Sequence, residues 1–449
     1  MKKQMDLLHG SIVDKMLKFA IPLAMTGILQ QLLNAADVAI VGQFAGKEAM
    51  AAVGSNSPVI SLIVNTVVGV GVGANVVAAK YIGSKHEDGI SKVVHTSILF
   101  SLICGVVLVG ICELAAGPII DLLGVPADVR ELSLLYLRVY LLGLPVIFMY
   151  NFEAAIFRSF GDTKTPLICL MFAGTINVLL NIVFVCILGM SVDGVAIATV
   201  TSNFISAMML MYKLRKKQDG FHLDFHKLRI DRPTLTAIVR IGVFAGLQSA
   251  VFSVANICVQ SGINSLGSDV MAASAAAFNI EILSYYLLNS FGQASTTFVG
   301  QNYGAYNIER CKEIVRKTMI VGLVISVTFA FLLIAVGPVM LKIFTSDPKI
   351  IDIGMIRIKF ILYAEALNVI MEVMTGAMRG YGYVSIPTLI SFVGVCGTRI
   401  TWVFTIFQMK PQYDVLMAVY PVSWVITSIA LVVAYKRYMK RFDKKMGES

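Results

Sequence analysis

The chain has 449 residues, of which 57% are hydrophobic and only 14% charged, with a formal net charge of +10 at pH 7. A soluble domain carries about 25% charged residues, so the composition excludes an ordinary soluble protein. It points to a chain that lives in lipid.

Residues from Met1 to about Asp14 read as a short amphipathic entry. Apolar runs of about 20 residues follow, each long enough to cross a bilayer core. Six spans are predicted at 16–44, 53–79, 93–115, 132–155, 166–188 and 194–213. Six more are predicted at 238–263, 273–299, 316–343, 354–377, 386–408 and 415–436. The segment before the first span is short and polar, and that span is too long for a signal h-region, so no cleavable signal peptide is expected. The predicted organisation is an N-terminal six-helix lobe over 1–217, a cytoplasmic inter-lobe loop over 218–236, and a C-terminal six-helix lobe with a basic cytoplasmic tail over 237–449.

The positive charge does not imply nucleic acid as a partner. With the N-terminus inside, most of the 37 lysines and arginines fall on one face, the positive-inside bias of membrane proteins. The largest clusters are Lys213, Arg215, Lys216 and Lys217, and Lys436, Arg437, Lys440, Arg441, Lys444 and Lys445. Both termini are therefore expected in the cytoplasm. Arg399 reads as the one basic residue left inside a span.

The two halves repeat at a distance of about 221 residues. Arg158, Gly161 and Pro166 align with Arg379, Gly382 and Pro387; Gly83 aligns with Gly304 and Gly46 with Gly267. Gly117-Pro118 recurs one residue out of step as Gly337-Pro338. Six spans per half make this a parallel repeat about an axis along the membrane normal, an architecture of secondary transporters.

Other chemistries find little footing. The run from Val68 to Ala74 alternates glycine with valine inside a span, which suits close helix packing and not a nucleotide fingerprint. No GxxxxGK[ST] motif supports ATP-driven transport. Seven cysteines are scattered without CxxC spacing, so neither a disulfide framework nor a zinc site is expected. His222 and His226, with Asp224 between them, read as a solvated loop. No catalytic triad lies at one depth, so no enzyme, no metal and no cofactor are expected.

Charges inside spans are the informative residues, since each costs about 2.5–3.5 kcal/mol at a helix centre. Asp37 lies deep in the first span, and its repeat counterpart is Cys258, so it is no symmetric scaffold feature. A lone carboxylate there can exchange a proton, or hold a small cation if neutral oxygens converge on it. Asn177 and Asn181 share one face of the fifth span, and Thr199 in the sixth adds a hydroxyl. The second half carries Glu281 in the eighth span, Glu365 and Glu372 in the tenth, and Arg399 in the eleventh. Glu281 or Glu372 is the expected partner of Arg399. These charges read either as a structural pair or as an auxiliary coupling site.

NAADVAIVGQ, RSFGDTKTP, its echo MRGYGYVSIP, and TTFVGQNYGA together resemble the multidrug and toxic compound extrusion (MATE) family over nearly the whole chain. The resemblance implies an all-α integral membrane fold of about 12 transmembrane helices in two six-helix lobes around a central cavity. It implies antiport, with organic cations and other drugs leaving against inward H+ or Na+. It assigns coupling to Asp37, supported by Asn177, Asn181 and Thr199. One large branch of the family places a glutamate in the seventh span and an aspartate in the tenth as a C-lobe cation site. Here the seventh span has no carboxylate and Asn368 stands where the aspartate would be, so Glu281, Glu372 and Arg399 take an auxiliary part. The expected partners are small-molecule drugs and membrane lipid, the expected state a monomer, and the expected location a bacterial plasma membrane. The alternative is a lipid-linked precursor flippase of the same broad superfamily. That reading wants a strongly cationic cavity, and Arg399 alone does not supply one.

Overall fold

The computed structural model describes residues 5–217 and 220–447, with side chains through residue 442. The side chains of Lys444 and Lys445 of the basic tail, and all of Gln218 and Asp219 of the inter-lobe loop, lie outside that description. The described residues are nearly all helical, with no strand among them. In the first half, α1 spans Ile12–Phe44, α2 Lys47–Gly83, α3 Glu87–Leu122, α4 Ala127–Leu142, α5 Leu144–Ser159, α6 Lys164–Asn181 and α7 Val192–Arg215. In the second, α8 spans Arg232–Asn264, α9 Ser268–Gly304, α10 Ile308–Leu341, α11 Pro348–Tyr363 and α12 Glu365–Gly380. Then come α13 (Ser385–Ser391), α14 (Thr398–Phe404), α15 (Ile406–Met409), α16 (Tyr413–Met417) and α17 (Val419–Gly447). Wide-turned π-helical segments extend α6 over Ile182–Ile187 and join α13 to α14 over Phe392–Gly397.

Among the described residues, nine helices are long and apolar enough to cross a membrane, ten with the bent pair α4–α5 taken as one span. The more polar α1 and the broken pair α11–α12 occupy the first and tenth predicted spans. Protein covers half or less of each of these apolar stretches. The most apolar stretch of α3 has a mean hydropathy of 2.5, yet only 17% of it is buried inside the protein. A water-soluble fold would hide such a stretch.

The internal repeat is written into the backbone. Gly161 and Gly382 sit at φ 85° and 84°, closing the turns after α5 and α12, and Gly46 and Gly267 at φ 96° and 98° precede α2 and α9. Even the two non-glycine residues at positive φ, Lys85 (54°) and Tyr306 (57°), are repeat counterparts. The next residue caps the following helix in each half: His86 accepts from Gly89 N–H, and Asn307 from Arg310 N–H. The fourth span of each half breaks at equivalent points. Gly143 separates α4 from α5 with a 49° bend, and Ala364 separates α11 from α12. Pro145 in the first turn of α5 lacks the N–H that would have continued α4, which accounts for the first break. Ala364 has no such signature.

By packing, the helices form two compact units: Met25–Gly246, and Asp6–Ala24 together with the chain from Leu247 onward. These do not coincide with the segments 1–217 and 237–449. Each long first helix of a half belongs to both units, α1 changing over just past Pro22 and α8 just past Gly246. In the first unit, α8 crosses α2 at backbone distance: a Cβ on Gly73 would lie 2.2 Å from the Ile238 carbonyl oxygen and 2.9 Å from Gly242 N. The glycine-valine run thus packs helices. In the second unit, Gly376 does the same on α12, where a Cβ would lie 2.2 Å from the Gly292 carbonyl oxygen of α9. Leu7, Ile12, Met16 and Phe19 are fully buried in the second unit, with Phe19 edge-on to Phe298.

Candidate functional site

In the first unit, α1, α6 and α7 bring Asp37, Asn177, Asn181 and Thr199 into one hydrogen-bonded cluster. Asp37 is 5% exposed. Its Oδ1 accepts from Asn181 Nδ2 at 2.6 Å and its Oδ2 from the Thr199 hydroxyl at 3.0 Å. The Thr199 oxygen in turn accepts from Asn177 Nδ2 at 3.4 Å, and Asn181 Nδ2 also donates to Asn177 Oδ1 at 3.3 Å. One helical turn separates the two asparagines, so a single face of α6 carries both. Thr199 is held in turn, its carbonyl taking bonds from Ser202 Oγ and Asn203 Nδ2, both at 2.9 Å.

The direction of these bonds carries chemical information. Every group that reaches Asp37 donates, and no lysine or arginine lies within ion-pair distance of it among the described residues. Neutral donors compensate the carboxylate, a set built for an acceptor with both oxygens free of protons. Asn181 Oδ1 is buried without a partner. A proton arriving at Asp37 would create a donor, and a turn of the Asn181 amide would present that spare oxygen to it.

The second unit solves the same problem differently. Glu281 on α9 is gripped by Arg357 on α11 through two bonds, Nη2 to Oε1 at 2.6 Å and Nε to Oε2 at 3.0 Å. Arg357 Nη1 also donates to Ser274 at 2.7 Å. This corrects two expectations. Arg357 is a second buried arginine inside a predicted span, which sequence reasoning missed because it sits near the start of that span. It also takes Glu281 for itself, so Arg399 does not pair with Glu281. Nor does it pair with Glu372, whose Oε2 accepts from Asn289 at 3.3 Å. Arg399 instead donates to Asn256 Oδ1 at 2.6 Å and Ser423 Oγ at 3.4 Å, with its guanidinium 4.3 Å from the Tyr420 ring centre. Tyr420 is the repeat counterpart of Thr199. Glu365 accepts from the Ser284 hydroxyl. Arg379, next to the Gly382 turn, donates to Gln248 at 2.8 Å.

Loop residues follow simpler chemistry. His222 and His226 are exposed. Asp224 Oδ1 accepts from His226 N–H at 3.0 Å, which holds the Asp224 carboxyl below its ordinary value. The buried His95 is more constrained: Nδ1 lies 2.7 Å from the Ser91 carbonyl oxygen, while Nε2 accepts from Asp224 N–H at 3.1 Å. That pair of contacts requires the neutral ring with its proton on Nδ1, and it ties the inter-lobe loop to α3.

A helical membrane protein of two repeated halves, with a carboxylate held by neutral donors in the first, has the form of a secondary transporter. The sequence pattern of the MatE family matches residues 22–183 and 245–405, one match in each half, and the chain belongs to this family of multidrug efflux transporters. The protein named "Probable multidrug resistance protein YoeA" of Bacillus subtilis is 27% identical over 445 residues, covering 97% of this chain and 95% of its own. The "Probable multidrug resistance protein NorM" of Thermotoga maritima is 27% identical over 403 residues, covering 88% and 86%. Among solved structures, a MATE crystallised in complex with MaL6 superposes with a TM-score of 0.91 at 22% identity, over 99% of this chain and all of that one.

Proposed function

We propose that this protein is a secondary active multidrug exporter that moves organic cations and other xenobiotics outward in exchange for inward protons. The observation that carries this reading is the donor set around Asp37. Both carboxylate oxygens receive N–H or O–H groups, whereas a sodium site needs oxygens converging on the ion. A proton is the ligand that suits such a carboxylate.

The mechanism follows from bond direction. Unprotonated Asp37 ties α1 to α6 through Asn181 and to α7 through Thr199. Protonation removes one acceptor and adds one donor, so at least one of these links must break or reverse. The helices then repack, and a drug bound preferentially to the unprotonated arrangement is released. Exchange requires only that proton and drug favour different arrangements. No cofactor enters the cycle. Localisation to a bacterial plasma membrane, cytoplasmic termini and a monomeric state complete the reading, supported by the basic residues of the mid-chain loop and tail and by the names of the relatives.

The test is ethidium transport in proteoliposomes under a proton gradient or a sodium gradient, for wild type and Asp37→Asn. Proton-driven export that disappears in the variant is the expected result. Export driven by sodium alone would replace the ion in this reading. Normal export by Asp37→Asn would remove Asp37 from coupling. Absence of gradient-driven transport in the wild type would move the reading to a lipid-linked precursor flippase.

A further inference from the structure

Asp37 has a companion in its own lobe. Glu153 lies on α5, inside the predicted fourth span, and is 0% exposed. Neither Oε1 nor Oε2 has a hydrogen-bond partner. The hydroxyl of Tyr150, three residues earlier, is also buried without a partner. Its neighbours on α5, Tyr150, Ala154 and Phe157, belong to one buried apolar cluster with Cys169, Ala207 and Leu210.

The charged and titratable groups at this end are Tyr150 and Arg158 on α5, Asp162 in the turn that follows it, Lys164 and Cys169 on α6, Lys213 on α7, Lys80 on α2 and His95 on α3. His95 is committed to Ser91 and Asp224. Arg158 is buried and makes no salt bridge with Glu153. An ionised carboxylate at this position would have neither donor nor countercharge, a cost of several kcal/mol. In this arrangement Glu153 therefore holds its proton.

A protonated acid with no partner contributes no bond to the fold. The repeat counterpart of Glu153 is Met374, an ordinary apolar side chain packed against the core of the other unit. The fold thus accepts a methionine at this place, and the carboxyl is left without a structural reason. Depth supplies another. Glu153 stands six residues before the end of α5, about 9 Å along the helix. Asp37 stands seven residues before the end of α1, about 10 Å, and α1 and α5 end on opposite sides of the membrane in the predicted topology. One lobe thus holds two carboxyls at opposite depths, one dressed with donors and one bare.

We propose that Glu153 is a second proton-carrying group of the N-terminal lobe, protonated in the arrangement described and discharged when water reaches this end of α5. In the discharge step the carboxylic O–H bond breaks, the proton passes to water as hydronium, and the carboxylate that remains shares this end with the cations Lys80, Arg158, Lys164 and Lys213. Recharging is the reverse step. The proposal rests on the proton-antiport reading and extends it from one carboxyl to two.

Infrared spectroscopy of the full-length protein in lipid nanodiscs, titrated from acid to alkaline pH, tests it together with proton-driven ethidium export. The variants are Glu153→Gln, Glu153→Met, Glu153→Asp and Asp37→Asn. The expected spectrum of the wild type contains a protonated-carboxyl band that Glu153→Gln and Glu153→Met lack and Asp37→Asn keeps. Export is expected to fall about tenfold or more in Glu153→Gln and Glu153→Met and to be largely kept in Glu153→Asp. Loss of export in Gln and Met alike, with the Asp variant active, separates proton carriage from packing. A spectrum unchanged by Glu153→Gln overturns the proposal, as does wild-type export by that variant. If the wild type shows the band but no proton-driven export, the antiport reading fails first and takes this proposal with it.

Discussion

The two lobes share their backbone to the level of individual φ angles, yet they surround their buried carboxylates with different partners. The first holds a carboxylate with amides and a hydroxyl, Asp37 with Asn181 and Thr199. The second holds one with a guanidinium, Glu281 with Arg357. Repeat counterparts confirm the divergence: Asp37 becomes Cys258, Thr199 becomes Tyr420, and Tyr136 becomes Arg357. An ion pair is a poor proton carrier, because protonating Glu281 would strand a buried arginine. A carboxylate dressed by neutral donors can change charge while its neighbours merely turn. Duplication supplied the frame, and the chemistry was placed in it separately.

Breaking the C-terminal ion pair is the harshest way to sharpen this contrast. Glu281→Gln or Arg357→Met alone should cost about 3–5 kcal/mol, because each leaves a buried charge uncompensated. The double replacement by methionine should recover most of it, as thermal unfolding in detergent would register. Next in size is overpacking of the helix crossings. Gly73→Val and Gly376→Val each drive side-chain atoms into a facing carbonyl and should cost about 1–3 kcal/mol or more; equal melting points with wild type would show the crossings to be loose. Asp37→Asn should cost only about 1 kcal/mol, since one acceptor survives, while abolishing coupled export. A loss as large as that of Glu281→Gln would erase the distinction between the lobes.

The smallest effect lies outside the membrane. Asp231 precedes α8, and the Thr234 hydroxyl and N–H, at 2.6 and 3.0 Å, hold its carboxyl below the ordinary 3.8. A lowered folded value means the cap is fully present above 3.8 and fades as pH falls through that lower value. Hydrogen exchange at the start of α8 should therefore rise only in strong acid, and Asp231→Ala should raise it at neutral pH and match the wild type in strong acid.

How much of this was legible in the sequence depended on distance along the chain. Most of the predicted spans and the repeat announce themselves through apolar run length and glycine spacing, both local signals, while α1 and the pair α11–α12 are less apolar. Asn177 and Asn181 could be placed on one face because one helical turn relates them. Asp37 could be set beside them because it shared their depth. Arg399 shows where such reasoning stops. Its partners, Asn256 and Ser423, are 143 and 24 residues away and uncharged. No local pattern selects them over a carboxylate that looks electrostatically better. Arg357 was hidden by its place near a span boundary, where arginines usually reach for water. Glu153 went unremarked although a glutamate stood in NFEAAIF, within a predicted span. The signal was present, but only burial without a partner makes it stand out.

The changeover of α1 between units has a consequence for how the protein is made. Asn302 donates to the Leu7 carbonyl oxygen across 295 residues of chain, and Arg310 reaches the Gly10 carbonyl across 300. At about 5–20 residues per second, the start of α1 waits roughly 15–60 seconds on the ribosome's schedule before the helices that bury Leu7, Ile12, Met16 and Phe19 exist. The start of α1 thus meets its native neighbours late, and for that interval its apolar face is open to lipid, insertase or chaperone.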